Sequence, residues 1–415
     1  RRVYKEAFTS NVRRTRKGVY RFNDYTVYIS TNTIKKMVFT KNYLDTDILS
    51  TGNNWVIKYR ATSATAPSYS RISFAGYPSL FFDIDPDPNG NFSFDFKNIV
   101  GDLVNTENFK DPHNDVNIVT DGTSVYNDSN SYKRFDIVVA IFFPVTGGQP
   151  PEVHQQNYRF KLSVLDAEEY ELGNRNINVT SEVLLPNVNG EYYTQGTSTQ
   201  PLDIPFYCLL DNGQTATCRV LNVTTSTLTP FLDIYEGVNR IFLQDGKGNT
   251  TSPLTFVEGI NEIHINVTGE QNVHVIYVTI KGGSCSSVLK WLNLEGGFGY
   301  HVFQHKTEDY SSKTKGFIES DYNTFDDYTP NAVSTGADMI KLLGFTSIRV
   351  SANEIPSLQG LISSPKVYQL LTKSDGAPLW KERVFNEGEM RIKQTGKRVF
   401  DFEINTLQTK KGYTL

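Results

Sequence analysis

Cysteine, alanine, surplus charge and long apolar runs are all scarce in this chain, and each scarcity removes a class of protein. Only three cysteines, Cys208, Cys218 and Cys285, occur among 415 residues. An odd, sparse set does not build a disulfide framework. Cys208 and Cys218 are spaced to bridge across a hairpin, but reduced, partly buried thiols are the simpler expectation. Alanine, the strongest helix former, occurs only twelve times, which argues against an all-helical fold. The formal net charge is −4, too small for a basic nucleic-acid binder, so no nucleic-acid partner is expected. No apolar run nears the roughly 18 residues of a spanning helix, so no membrane partner is expected either. The opening residues show no secretory signal, and a start at Arg1 rather than Met reads as processed or missing.

What the chain has in quantity points to strands. There are 26 Phe and 23 Tyr, alongside many Val, Ile and Thr, with Asn, Asp and Gly abundant between them. These are strand formers separated by turn formers. The length suggests two to four domains at about 100–200 residues each.

The first stretch, 1–24, reads as a basic N-terminal arm. It holds Arg13, Arg14, Arg16 and Lys17 with no apolar periodicity, so it cannot form its own core. Residues 25–182 read as a β-sandwich-like domain, with strands at Thr26–Ser30, Trp55–Arg60, Asp136–Phe143 and Tyr158–Leu165 and a short helix over Phe96–Asn105. Residues 183–283 read as an immunoglobulin- or fibronectin-like sandwich of about seven short strands. Its clearest hairpin has Ile263, Ile265 and Val267 leading into the turn Thr268–Asn272, and Val273, Val275 and Tyr277 leading out. Residues 284–415 read as a mixed β (α+β) domain. It has one short helix at Asn353–Ser363, capped by Asn353, and a long polar loop or edge over Thr307–Pro330. The fold class is thus mainly β: tandem sandwich-like domains, a mixed C-terminal domain and the arm.

Candidate chemistry is thin. Asp85–Asn91 (DPDPNGN) imitates the first half of a calcium loop, but Phe96 stands where the bidentate carboxylate belongs and two prolines oppose the geometry. A proline-rigidified turn is expected instead. His301 and His305 on one strand would lie about 13 Å apart, too far for one metal. His264 and His274, on the polar face of the hairpin, come near one another at most as surface histidines. The sequence contains no G-x-S-x-G, H-E-x-x-H or Walker pattern. Gly296–Gly299 precedes a strand rather than a helix, so it reads as a tight turn or bulge. Acidic pairs at Glu168–Glu169, Glu319–Asp321 and Asp326–Asp327 read as surface carboxylates. The expectation is therefore no enzyme, no cofactor and no small-molecule substrate. Aromatics in polar surroundings are the remaining signal: Tyr192, Tyr193, Tyr300, Tyr310, Tyr322, Phe325 and Tyr328. They suit sugar stacking or a protein interface. The interface candidates are Arg13, Arg14, Arg16 and Lys17 in the arm and Tyr310, Tyr322, Phe325 and Tyr328 in the polar stretch.

Three segments carry a family resemblance: FSFDFKNIVGDLVNTENF (Phe92–Phe109), LKWLNLEGGFGYHVF (Leu289–Phe303), and the order strand, LQGLISSPKVYQLL, hairpin over Phe345–Thr406. Together they resemble distal-tail or baseplate structural proteins of tailed bacteriophages, especially those infecting Bacteroidetes hosts. The resemblance implies a virion tail subunit, assembled in the host cytoplasm as a homo-oligomeric ring, that anchors other tail or fibre proteins. The alternative from the residues alone is a secreted or surface carbohydrate-binding β-sandwich protein.

Overall fold

The computed structural model describes residues 19–22, 25–28, 37–113, 124–128, 130–144, 149–163, 180–198, 200–210, 214–245, 254–282, 286–314, 316–319, 332–334, 337–372, 378–385, 391–396 and 399–411. The chain divides into two compact units, 1–106 with 129–180 and 107–128 with 181–415. The segment 107–128, which the sequence reading left inside the first domain, therefore belongs to the second unit.

In the first unit a five-stranded sheet (Ile48–Ser50, Glu152–Lys161, Tyr132–Phe142, Tyr69–Phe74, Tyr77–Ile84, in spatial order) packs with a three-stranded one (Val38–Lys41, Val56–Arg60, Asn91–Asp95). The reason is aromatic: Phe74, Phe92, Phe96, Phe135 and Phe160 are all nearly or fully buried, and Phe74 meets Phe96 and Phe135 edge-on. Tyr59 ties sheet to sheet through its hydroxyl, 2.7 Å from Ser70 Oγ. The expected helix forms over Lys97–Val104, burying Val100 and Val104. The Asp85–Asn91 segment is a turn: Asp87 Oδ1 accepts the backbone N–H groups of Asn89 and Asn91 at 2.8 Å each. Within the stretch read as an arm, Val19–Phe22 pairs with Tyr25–Tyr28 as an antiparallel hairpin. Its residues are strand formers, and ladder hydrogen bonds need no core of their own. Arg13, Arg14, Arg16 and Lys17 lie outside the described residues.

The second unit stacks a four-stranded sheet (Ser181–Val183, Pro201–Cys208, Gly237–Asp245, Val125–Asn127) on a seven-stranded one built around Glu191–Gly196, Val273–Ile280, Gly259–Val267 and Thr215–Asn222. The Gly259–Val267/Val273–Ile280 hairpin forms around the expected turn, but the alternating set expected after it, Val273, Val275 and Tyr277, faces outward, because the apolar residues of the other parity pack inward. Its inward residues after the turn are Ile276, Val278 and Ile280. The fourth strand of the smaller sheet, Val125–Asn127, comes from the 107–128 excursion and pairs with Asn239–Ile241.

An eight-stranded sheet follows, with Phe298–Phe303, Ser287–Leu292, Val367–Thr372 and Pro378–Phe385 at one side and Val399–Lys411, Ala337–Ser351 and His305–Thr314 at the other. One face packs Leu289, Trp291 and Phe303 with Phe345, Phe402 and the helix residues Leu358 and Leu361. That helix runs Ile355–Ser363, and Glu354, not Asn353, is its cap residue. The carboxylate of Glu354 turns back to accept from Ser351 N–H and Oγ at 2.9 Å each. Of the loop or edge expected from Thr307, the edge is what forms first: His305–Thr314 is the edge strand of the eight-stranded sheet, paired along its length with Ala337–Thr346. Polar side chains are compatible with a strand whose faces stay wet, which hydropathy alone does not distinguish from a loop.

Strands Pro201–Cys208 and Phe298–Phe303 are buried at every residue. Such two-faced burial leaves no slack at turns. Gly297 shows this: a Cβ added there would overlap the Leu184 carbonyl oxygen and the Pro205 ring. Gly297→Ala is expected to destabilise the chain by about 1–3 kcal/mol, as overpacking does, read as a lower urea midpoint with an unchanged slope. A midpoint equal to that of the parent would mean that the turn is loosely packed.

Candidate functional site

Alternation along strand Pro201–Cys208 sends Ile204, Phe206 and Cys208 to one face and Asp203, Pro205 and Tyr207 to the other. On the neighbouring strand Arg240 lies opposite Pro205. Its guanidinium grips Asp203 through Nε and through Nη2, the latter at 2.7 Å from Oδ1. From the eight-stranded sheet, Tyr300 donates its hydroxyl to the same carboxylate, and Lys290 lies beside Tyr300 and Tyr368 in register. From the excursion, Asp111 accepts from Arg240 Nη1 at 3.1 Å and from Lys290 Nζ at 2.5 Å. None of these four charged side chains is more than 1% exposed.

Two cations and two anions make this centre neutral, which lets it survive out of water. Burial opposes every charge in it. Burial would lift Asp111, but the Arg240 and Lys290 charges hold it well below the usual carboxylate range. Burial would lower Arg240, but Asp111 and Asp203 hold it well above its ordinary value. Lys290 is pushed down by burial despite Asp111. Tyr300, buried and against Asp203, is raised far up. Beside the centre, burial lowers His113 to about 4.

A second constellation lies on the outer face of the seven-stranded sheet. Strand alternation turns Glu191 and Tyr193 outward, with Tyr277 opposite Tyr193 and Glu262 opposite Tyr277. All four are partly exposed. The two tyrosine rings lie 24° from parallel with centroids 5.3 Å apart. Glu191 accepts the Tyr193 hydroxyl at 2.5 Å and the Tyr277 hydroxyl at 3.5 Å. Asn353 Nδ2 donates to the Tyr193 hydroxyl at 2.9 Å. Burial, followed by Glu191, pushes Tyr193 up to about 12, so it stays a neutral donor. Glu262 and His264 meet at 2.6 Å on the same face, and Ile260 and Val273 are exposed there. The result is an aromatic shelf edged by carboxylates and an amide.

Two other polar clusters do not assemble reactive chemistry. Ser181 Oγ meets both Glu270 Oε2 (2.5 Å) and His274 Nε2 (2.9 Å). In a nucleophilic triad the acid orients the imidazole, whereas here it takes the hydroxyl itself. His301 is buried, not a surface group; it meets Ser347 Oγ at 2.8 Å, and burial lowers it to about 4. His264 and His274 face opposite sides of their sheet, since their cross-strand partners are Val275 and Ile265. Cys208 and Cys218 are buried free thiols, and burial pushes each up to about 12. Among the described residues no cluster of three His, Cys, Asp or Glu is arranged to hold a metal.

Of the interface candidates, Tyr310 is 58% exposed on strand His305–Thr314 and donates to Glu308 at 3.2 Å. Tyr322, Phe325 and Tyr328 lie outside the described residues, as do Glu168–Glu169, Asp321 and Asp326–Asp327. Tyr300, read as an exposed aromatic, is instead at the heart of the buried centre, and Tyr192 is buried. Asp111, Asp203, Arg240 and Lys290 were not singled out in the sequence. The available signal was a charge inside an otherwise apolar strand, as in PLDIPFYC and SVLKWL.

No family model matches the chain, and no curated protein matches it. Among solved structures, fibronectin(III)-like modules of Clostridium thermocellum CbhA align at 10% identity over 59% of this chain and 94% of theirs, with a TM-score of 0.19. A tri-modular GH5 endo-beta-1,4-glucanase from Bacillus licheniformis aligns at 11% over 60% of this chain and 39% of its own, with a TM-score of 0.17. A tetra-tandem repeat from the extending region of a large adhesion protein aligns at 8% over 87% and 66%, with a TM-score of 0.19. Overlaps this loose support no functional inference.

Removing Arg240 leaves two buried carboxylates facing one lysine. Arg240→Met is expected to cost about 3–5 kcal/mol, measured by chemical denaturation. A loss below about 1 kcal/mol would mean that water reaches the centre and screens it. The strands, about 60% of the described residues against 6% helix, establish the class: this is a mainly β protein of several sandwich-like sheets.

Proposed function

We propose that the chain is a non-enzymatic binding protein that holds carbohydrate on the outer face of its seven-stranded sheet. The observation behind this reading is the Tyr193–Tyr277 pair with Glu191 and Asn353. A sugar ring offers an apolar C–H face and a rim of hydroxyls. Flat aromatic rings suit the first. Carboxylate and amide groups already held in fixed orientation suit the second, because little ordering remains to be done on binding. A glycan array followed by affinity electrophoresis tests it. Tyr277→Ala and Tyr193→Ala are each expected to weaken binding at least about tenfold, in line with an anchor worth over 1 kcal/mol, with the fold unchanged by circular dichroism. Equal retention of parent and variants, or no retention by the parent, would reject the shelf.

A second reading, a self-assembling tail-ring subunit, follows from the family resemblance and has one observation in its favour. Residues His305–Tyr310 are exposed at six consecutive positions, so both faces of this strand are wet. Such ribbons are the elements that lie against neighbouring subunits. Negative-stain electron microscopy of the full chain should then show closed rings that Tyr310→Lys disperses. Monomers at every concentration would remove that reading.

A further inference from the structure

A lysine amine and an aspartate carboxylate meet inside the second unit at 2.5 Å, Lys290 Nζ to Asp111 Oδ2, 179 positions apart in sequence. Aromatic rings wall the amine in: Trp380, Tyr368 and Phe298 have centroids 4.3, 5.2 and 5.5 Å from Nζ. The other carboxylate oxygen, Oδ1, accepts from the His113 backbone N–H at 2.8 Å and from Arg240 Nη1 at 3.1 Å. An ion pair needs only the contact. Here the two oxygens have separate surroundings: one faces an amine, and the other faces two fixed donors. That is the arrangement in which an acyl carbon is attacked, with Oδ1 seated where negative charge would develop.

We propose that Lys290 and Asp111 are the site of an intramolecular isopeptide cross-link, formed by the folded chain on itself. The step balances within the pair. Nζ passes a proton to Oδ2, giving a neutral amine and a carboxylic acid. The amine lone pair attacks Cγ and the C–N bond forms, while the charge on Oδ1 is held by the His113 N–H and Arg240. A second Nζ proton moves to Oδ2, the Cγ–Oδ2 bond breaks, and one water leaves. An amide between Nζ and Cγ remains, and no oxidant, metal or cofactor enters. Burial favours both neutral partners. The Arg240 charge opposes protonation of Asp111, but it stabilises the tetrahedral intermediate that follows. Exclusion of water also guards the amide against hydrolysis. The product ties the 107–128 excursion to the eight-stranded sheet by a covalent bond.

Denaturing intact-mass spectrometry of the full chain, after prolonged incubation in the folded state, decides the matter. The expected mass lies about 18 Da, one water, below that of the sequence, because such a modification is covalent and survives unfolding. Proteolysis should then release one branched peptide containing both Asp111 and Lys290, and Lys290→Met and Asp111→Ala should each return to the full sequence mass. A parent chain at its sequence mass, with the two residues in separate linear peptides, would overturn the cross-link and leave an ion pair. A deficit that persists in Lys290→Met would overturn it equally. The parent measurement suffices even where a variant fails to fold.

Discussion

Covering both faces of a strand forces its polar residues to find partners inside the protein, and the second unit is organised around that constraint. Strand Pro201–Cys208 is buried at all eight positions. Its Asp203 has no route to water, so Arg240 and Tyr300 must come to it. Arg240 then has capacity left over, and Asp111 takes it up. Asp111 in turn draws Lys290 from the adjoining sheet. Each charge admitted requires the next, until the set closes at zero. Breaking any link strands a buried ion, and that cost is far greater than the net gain from making the link.

The same constraint explains why 107–128 leaves the first unit. An aspartate is needed between Arg240 and Lys290, and neither of the strands that bear them can supply it. The excursion brings Asp111 and also adds strand Val125–Asn127 beside Asn239–Ile241. One segment thus closes a sheet and completes a charge set. The outer tyrosine shelf stands apart from this centre. It is built from the wet side of strands whose inward side is Ile276, Val278 and Ile263, so its residues are free to be chosen for contact rather than packing.

Much of the architecture was readable from local pattern. The hairpin from Ile263 to Tyr277, the helix after Phe96, the helix before Pro365 and the turn at Asp85–Asn91 all form where periodicity and turn chemistry place them. The errors share one cause. Tyr300 looked exposed because its sequence neighbours include Gly and His, yet a second sheet covers it. The stretch from Thr307 stayed open between loop and edge because a strand exposed on both faces, as His305–Tyr310 is, has no apolar alternation to display. In each case the missing information was what lies across from the residue, which sequence spacing does not encode.

The sequence by itself determined the strand-rich class, the positions of most turns and the alternation that sorts each strand into two faces, because backbone sterics and local propensity act over a few residues. Only the tertiary structure decided which faces meet. Asp111, Asp203, Arg240 and Lys290 are far apart along the chain and individually unremarked. They become a single neutral centre because the excursion and two sheets converge on them. Tyr193 and Tyr277, 84 positions apart by their numbers, become neighbours because their strands pair in parallel register. Long-range pairing is settled by the burial of whole faces and the cancellation of buried charge, and neither can be read from any single stretch of chain.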